Sequence, residues 1–572
     1  MTTYRAEYEK WLNAPALTEE ERAELRAIGD DDAEIAERFY GSLAFGTGGL
    51  RGIMGMGSAR MNVHVIRLAT HALAQVIVDQ GLEAMHDGVI ICHDSRINSD
   101  VFAREAASVL AANGVRVCLF DDMRPTPELS FAIRHYGATA GINITASHNP
   151  KAYNGYKAYW SDGAQLPPRF ADVVAERMAE TDIFSGIKTM DYQRALDQGL
   201  ITLLGKETDE LFFNQALAQS VGRDYVEQVA EKLKVVYTPF HGAGAAFVPE
   251  VLRRIGIRHV LPVEAQMIAD GSFPTVKSPN PEDPEGFAMA LDLARAHDAD
   301  LIIGTDPDAD RVGALVQHGG DYQMISGNQM GVLLLGYLIR MKQEAGTLPH
   351  HAAFVTTIVT TEMAAALAEL AGVATYTTFT GFKFIADTIA SLGDEKTVFF
   401  SFEESYGYMI GDFVRDKDAV TASMLIAEMT AWYKTRDMTL VDGLEEHYQT
   451  LGYFYMEETL NLVMPGYHGL QQMAALMETL RTTPPTEIGG QPVVAACDYL
   501  GGVCVSDGAE TQMELSGSNV LGFTLEDGTR FIVRPSGTEP KMKVYILARG
   551  RDRATCEETI RQCALFAEQL KN

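Results

Sequence analysis

Short apolar runs alternate, through most of the chain, with stretches whose apolar positions recur every three or four residues. Val89-Ile90-Ile91-Cys92-His93 is the first clear run and reads as a strand. Ser99 precedes helical spacing from Val101 to Ala112, and Gly114 stops it. Residues 115–120 and then Ala140-Gly141-Ile142-Asn143-Ile144-Thr145 predict two further strands, the second halted at Asn149-Pro150. Strands separated by helix-length segments imply a parallel sheet. The same grammar returns twice. Residues 234–238 form a strand before Pro239-Phe240-His241-Gly242, and Leu301-Ile302-Ile303-Gly304-Thr305 runs into Asp306-Pro307-Asp308-Ala309-Asp310-Arg311. Residues 353–357 open a third unit, whose last strand, 398–402, runs into Glu403-Glu404-Ser405-Tyr406-Gly407.

The opening forty residues carry acidic and apolar positions at helical spacing. From about Tyr455 glycine-rich stretches and short alternating strands take over, and residues 554–570 close the chain as an amphipathic helix. The expected fold is three similar α/β domains with mixed or parallel sheets, followed by a C-terminal α+β domain, all around a central cleft. The expected boundaries are 1–205, 206–320, 321–454 and 455–572.

At 572 residues the chain exceeds one core, since domains average roughly 150 residues. A charged fraction of 22% excludes a disordered chain, and a net charge of −30 excludes nucleic acid and anionic membrane as partners. Any anionic substrate must then be held by a local cluster of Arg and Lys or by a divalent cation. The six cysteines include no C-x-x-C pair, which reads as reduced, cytoplasmic usage. The charged N-terminus lacks the apolar core of a signal peptide, and the apolar run 332–339 is too short to span a bilayer.

Four strand-end loops carry chemistry. Ser147, with His148 beside it, stands at the end of a strand, where ligands of α/β proteins collect. Asp306, Asp308 and Asp310 alternate after a buried strand, and oxygen-only ligands so spaced suit Mg²⁺. An EF-hand is excluded, because its sixth position is Arg311 and its twelfth Gln317. Glu403-Glu404-Ser405 offers acceptors for sugar hydroxyls. Arg534-Pro535-Ser536-Gly537-Thr538 combines a guanidinium, two hydroxyls and glycine-freed N–H groups, the composition of a phosphate cradle. Each could also be a solvated turn; the glycine-rich 45–52 loop around Arg51 is by itself a weak signal.

Taken together, the four motifs resemble the α-D-phosphohexomutases over essentially the whole chain, most closely the phosphoglucomutase branch. The resemblance implies four domains around a deep cleft and a resting phosphoserine at Ser147, with Mg²⁺ held by Asp306, Asp308, Asp310 and a phosphoserine oxygen. It implies that Arg51, His148, Lys157 and Lys417 assist phosphate placement and proton transfer. Thr380, Glu403 and Ser405 would grip the sugar, and Arg311, Arg534, Ser536, Gly537 and Thr538 would bind substrate phosphate. The implied activity is reversible conversion of α-D-glucose 1-phosphate to glucose 6-phosphate through glucose 1,6-bisphosphate, which serves as intermediate and activator, in a cytoplasmic monomer or homodimer. Phosphopentomutase, phosphomannomutase, glucose 1,6-bisphosphate synthase and a silent phosphosugar-binding protein are the alternatives. Phe402 stands where glycine often precedes the acidic pair, and no histidine follows Ser405, unlike the dual-specificity phosphomannomutase/phosphoglucomutase branch.

Overall fold

The computed structural model describes residues 3–46, 48–464, 466–535 and 541–570. Strands β1 (Leu50–Ile53), β2 (Val89–His93), β3 (Val117–Phe120), β4 (Ala140–Ile144), β5 (Tyr153–Trp160) and β6 (Ile201–Leu204) form the first sheet, ordered β1-β5-β4-β2-β3-β6. The second holds β7 (Lys234–Thr238), β8 (His259–Pro262), β9 (Leu301–Thr305), β10 (Val312–His318) and β11 (Asp321–Ile325), ordered β11-β10-β9-β7-β8. The third holds β12 (Ala352–Thr357), β13 (Ala374–Thr378), β14 (Thr397–Glu403) and β15 (Gly407–Ile410), ordered β13-β12-β14-β15. The inner strands of each are parallel, as their spacing implies. Every residue of β4 and β9 is buried, as covering helices on both faces require.

One device is repeated three times. The last parallel strand of each sheet ends in a polar loop and returns at once as an antiparallel neighbour: β4 into β5, β9 into β10, β14 into β15. Each loop contains one non-glycine residue in the left-handed region, namely Ser147 (φ 52°), Ala309 (φ 49°) and Tyr406 (φ 62°). Such a backbone costs on the order of 1–2 kcal/mol per residue, and the strands on either side hold it in place. Register then carries chemistry back toward the loop, because Lys157 on β5 lies opposite Asn143 on β4.

The second and third sheets share one apolar core. Between them runs the helix Ala419–Lys434, buried on nearly every side and packed on the helices Gly244–Arg254 and Arg223–Val229. Its one central charge, Glu428, is satisfied by the N–H groups of Val221 (3.0 Å) and Gly222 (2.8 Å) and by the Tyr337 hydroxyl (3.0 Å). The first three helices, Thr3–Leu12, Glu19–Ala27 and Asp32–Phe39, bury a small cluster of their own around Trp11 and Phe39. The apolar 332–339 run lies in the buried helix Gly327–Glu344. Among the described residues no helix is long and apolar enough to cross a membrane.

The C-terminal unit is α+β. Strands β16 (Phe454–Val463), β17 (Glu487–Ile488), β18 (Gln491–Asp498), β19 (Val503–Ser506), β20 (Ala509–Gln512), β21 (Leu521–Leu525), β22 (Arg530–Pro535) and β23 (Lys541–Gly550) form an antiparallel sheet. Its core includes Met473 and Met477 of the helix Gly466–Thr482 and Ile560 and Cys563 of the helix Arg553–Gln569. One expectation fails here. Cys497 and Cys504 are joined by a disulfide, because the β18–β19 hairpin sets two residues seven apart directly opposite each other. The absence of a C-x-x-C pair could not reveal that register. Cys92, Cys118, Cys556 and Cys563 are free.

Gly155 marks where β5 approaches the serine loop most closely. A Cβ there would meet the Thr145 carbonyl oxygen at 2.4 Å and that of Leu50 at 2.9 Å, whereas one at Gly41 meets nothing within 4 Å. Gly155→Ala should therefore cost about 1–3 kcal/mol and lower the melting temperature, while Gly41→Ala leaves it unchanged. Equal melting temperatures for the two variants would contradict this packing.

Candidate active site

The serine loop is fixed from behind by one arginine. Arg96, buried, donates to the carbonyl oxygens of Ser147 (2.5 Å), Pro150 (3.1 Å), Tyr153 (3.0 Å) and Asn149. Its guanidinium lies over Phe273 at 5.1 Å and pairs with Asp94 at 3.3 Å. Asp94 accepts from Thr145 Oγ1 (2.5 Å) and Ser99 Oγ (2.8 Å), and Thr145 Oγ1 in turn accepts the Ser147 N–H (2.8 Å). Sequence reading passed over Asp94-Ser95-Arg96, though an acid and an arginine directly after a buried strand were the available signal.

The aspartate loop faces this serine. Ser147 Oγ donates to Asp306 Oδ2 at 2.6 Å and lies 3.1 Å from His148 Nδ1. Asp306 Oδ1 accepts the N–H groups of Asp310 (3.1 Å) and Arg311 (2.9 Å), which shapes the loop. Asp308 Oδ2 receives Lys157 Nζ (2.6 Å) and Thr126 Oγ1 (2.9 Å). Asp310 Oδ2 receives Lys157 Nζ at 3.0 Å and faces Lys417 Nζ at 3.3 Å. Lys417 also binds Asp416 Oδ1 (3.0 Å), whose other oxygen accepts from Tyr159 (2.9 Å) and Gln165 (3.2 Å) of the first unit. Thr126, Tyr159, Gln165 and Asp416 had no reading from sequence.

The three aspartates are 0, 0 and 1% exposed, and one carboxylate oxygen of each lies within 4.8 Å of the others. Burial and the charges of Asp308 and Asp310 push the Asp306 carboxyl well up. Burial acts on Asp310 in the same direction, but Lys157, Lys417 and Arg311 outweigh it and hold that carboxyl low. Burial alone would discharge Lys157 and Lys417; their carboxylate partners reverse the effect and keep both ammonium groups charged. Burial, aided by Arg311 and Arg51, keeps His148 neutral. Asp308 Oδ1 and Asp310 Oδ1 are buried with no hydrogen-bond partner. Two orphaned carboxylate oxygens beside a third carboxylate fit a hard divalent cation such as Mg²⁺.

The remaining predicted residues border the same space. Glu403 Oε1 accepts the Gly381 N–H at 2.5 Å. Beside it Thr380 Oγ1 is buried without a hydrogen-bond partner, and Ser405 lies half-buried in the β14–β15 turn. Arg311 pairs with Glu282 Oε1 (2.7 Å) and faces Asp310 Oδ1 at 3.9 Å. Arg51, on β1, donates to Asn149 Oδ1 at 2.9 Å. Arg534 is next to last on β22, with Lys383 and Tyr545 within its electrostatic reach. Ser536, Gly537 and Thr538 lie outside the described residues. Lys543 was missed: opposite Arg534 in the sheet, it feels Glu282, Glu404 and Arg311 at once, which puts the second, third and fourth units around one space. The chemistry available is that of a buried hydroxyl beside a cation site, with cations on one wall and hydroxyl acceptors on the other.

Four family profiles match the chain in order. They are described as phosphoglucomutase/phosphomannomutase alpha/beta/alpha domains I (residues 42–183), II (212–320) and III (326–451), and the C-terminal domain (489–559). A phosphoglucomutase of Staphylococcus aureus (strain USA300) is 38% identical over 526 residues, spanning 90% of this chain and 91% of that one. The phosphoglucomutase of Staphylococcus haemolyticus (strain JCSC1435) is 37% identical over 516 residues, spanning 89% and 90%. The fold is similar to that of Paramecium pp63/parafusin in its open form, with a TM-score of 0.69, 17% identity and 92% and 95% of the two chains covered. It is similar also to a phosphoglucomutase/phosphomannomutase family protein from Burkholderia thailandensis, with a TM-score of 0.66, 17% identity and coverage of 92% and 97%.

Two outcomes follow from this geometry. Replacing Arg96 by Met frees four carbonyls of the serine loop, so steady-state kinetics should show kcat falling at least about 100-fold with a smaller change in KM; unchanged kcat would remove Arg96 from this role. Glu404, half-buried, has its carboxyl raised from 4.5 to about 7 by desolvation and by the charge of Glu403. The folded protein then binds more protons than the unfolded chain between those values, so this residue's contribution to stability falls as pH rises through that window. Melting temperatures at pH 5.5 and 7.5 should differ less in Glu404→Gln than in the parent protein.

Proposed function

This chain belongs to the phosphoglucomutase/phosphomannomutase family, and on that premise we propose that it reversibly converts α-D-glucose 1-phosphate to glucose 6-phosphate. The observation that carries the reading is the buried Ser147 hydroxyl, held 2.6 Å from Asp306 where the charges of three units meet. In the resting enzyme Ser147 carries a phosphoryl group. The P–Oγ bond breaks as a bond forms to the free hydroxyl of the sugar, giving glucose 1,6-bisphosphate. The charged Lys417 ammonium gives a proton to the departing Ser147 Oγ and takes in exchange the one the sugar hydroxyl loses. The bisphosphate turns over in the cleft, and its other phosphoryl group returns to Ser147 by the reverse exchange. Added glucose 1,6-bisphosphate therefore also serves as activator, by phosphorylating unloaded enzyme.

Positioning and charge neutralisation carry most of such a reaction. Lys157, Arg51 and Arg311 draw the transferring phosphate to the serine, and neutral His148 orients the hydroxyl. Glu403, Ser405 and Thr380 hold sugar hydroxyls in both orientations. Arg534, with Ser536, Gly537 and Thr538, takes the phosphate that is not reacting. Asp306, Asp308 and Asp310, together with an oxygen of phosphorylated Ser147, would hold Mg²⁺, which when bound neutralises charge on the bridging oxygens. The four units divide at 205/206, 320/321 and 454/455, and the enzyme works in the cytoplasm as a monomer or homodimer. Glucose is preferred to mannose because no histidine follows Ser405, and the relatives named phosphoglucomutase support the same choice.

Intact mass spectrometry after glucose 1,6-bisphosphate treatment should show one added phosphoryl group on the parent protein and none on Ser147→Ala. The variant should lose at least about 10⁴-fold in kcat. A parent protein that never carries the adduct, with full activity in Ser147→Ala, would end this reading. Chelation by EDTA should abolish turnover and Mg²⁺ should restore it, while rates on ribose 1-phosphate and mannose 1-phosphate should fall well below that on glucose 1-phosphate.

A further inference from the structure

Where the third and fourth units meet, a crevice of about 690 Å³ opens. That volume falls within the range of small-molecule sites. One wall is the carboxyl end of β12, the outer face of β13 and the first turn of the helix Glu362–Leu370. Polar ligands collect at such strand ends, and helix N-termini attract anions. Thr375 and Thr377, two apart on β13, present hydroxyls from one face of the strand.

The opposite wall supplies cations. Arg530 opens β22 and Arg549 lies near the end of β23, so both sit at the far end of the sheet from the phosphate loop. Four residues separate Arg530 from Arg534, about 13 Å along a strand. Between the two places lies an apolar seam in which Ile358 and Val359 pack on Ile532 and Tyr545. Both arginines are loosely engaged. Arg530 reaches Glu362 only at 3.5 Å and the Tyr499 hydroxyl at 3.3 Å. The Arg549 guanidinium lies over the Tyr453 ring at 3.6 Å, while its Nε is buried with no hydrogen-bond partner. A half-buried guanidinium with an unmatched donor, on the wall of a cavity, is a place for a ligand oxygen. Glu369 also lines the crevice, two helical turns or about 10 Å from Glu362, where it can accept from hydroxyls.

We propose that this crevice is a second ligand site, taking a phosphorylated polyol with its phosphate between Arg530 and Arg549 and its hydroxyls along Thr375, Thr377 and Glu369. An occupant touching both walls joins the third and fourth units on the side of the seam opposite the cleft. Binding there is then linked to the cleft's own opening and affinity.

Hydrogen exchange read by mass spectrometry tests this with sorbitol 6-phosphate as probe. The parent protein should gain protection in peptides covering residues 372–378 and 545–550. Arg549→Met should bind the probe roughly tenfold more weakly at those peptides and keep its mutase activity. Thr377→Val, at the exposed rim, should weaken protection of 372–378 and serves equally if Arg549→Met does not fold. The proposal fails if the parent protein shows no protection there, if protection is confined to residues 144–150, or if Arg549→Met binds undiminished. It fails too if sorbitol alone gives the full effect. Full protection by inorganic phosphate alone would overturn the polyol half. None of these readouts depends on which sugar the mutase prefers.

Discussion

Three carboxylates share a buried loop, and they can do so only because other parts of the chain bring cations to them. Removing one partner of a buried ion pair typically costs 3–5 kcal/mol, because a charge is left without water or counterion. Here the partners are distant in sequence: Lys157 comes from the first sheet and Lys417 from the loop before the helix Ala419–Lys434 of the third unit, and both meet Asp310 in the aspartate loop of the second. Main-chain contacts follow the same seam. The Thr126 N–H donates to the Asp308 carbonyl at 2.8 Å, and the Ala419 N–H to that of Ala309 at 3.2 Å. The aspartate loop is thus the joint at which three units are fixed, as well as the candidate cation site.

The loops that meet there are built alike. Each hangs between a parallel strand and its antiparallel return, with one residue forced into the left-handed region. Strain of that kind persists only where the surroundings over-determine it. For Ser147 the surroundings are Arg96, which saturates the loop's carbonyls, and Asp94, which pairs with Arg96 and accepts from the Thr145 hydroxyl. The hydroxyl is therefore presented by a rigid mount. The fourth unit is joined differently, through the small apolar seam around Ile532 and Tyr545. Rigidity around the serine and a lighter joint to the fourth unit suit the proposed grip on a substrate in two orientations.

Much of this was legible in the chain. Abrupt polar loops after apolar runs located Ser147, Asp306 and Glu403 at strand ends, because a parallel strand buried on both faces writes a continuous hydrophobic run. The antiparallel returns were not legible. Strand β5, Tyr153-Asn154-Gly155-Tyr156-Lys157-Ala158-Tyr159-Trp160, mixes polar and aromatic residues without a clean alternation, so its partner is set by the loop before it. Nor could sequence show that the Lys157 and Lys417 side chains meet at one carboxylate, or that Arg96 serves carbonyls some fifty residues away, since such contacts exist only once sheets are stacked. The Cys497–Cys504 bridge was hidden for the same reason: register, unlike composition, is a property of the folded hairpin.

A protein with a net charge of −30 is an unpromising host for an anionic substrate, and the geometry resolves the difficulty locally. Exposed charges are screened beyond about 8 Å at physiological ionic strength, so remote acids matter little inside a cleft. What matters is the immediate surroundings, where Lys157, Lys417, Arg311 and Arg51 border the serine and aspartate loops and Lys543 acts on Glu404. Lys157 and Lys417 are engaged with aspartates that a divalent cation would also bind. Neutralising those aspartates by any other means would release Lys157 and leave Lys417 paired with Asp416 alone. The same two side chains that hold the units together are thereby the ones a cation on the aspartates would loosen, and the stability of the joint is tied to the occupancy of the site.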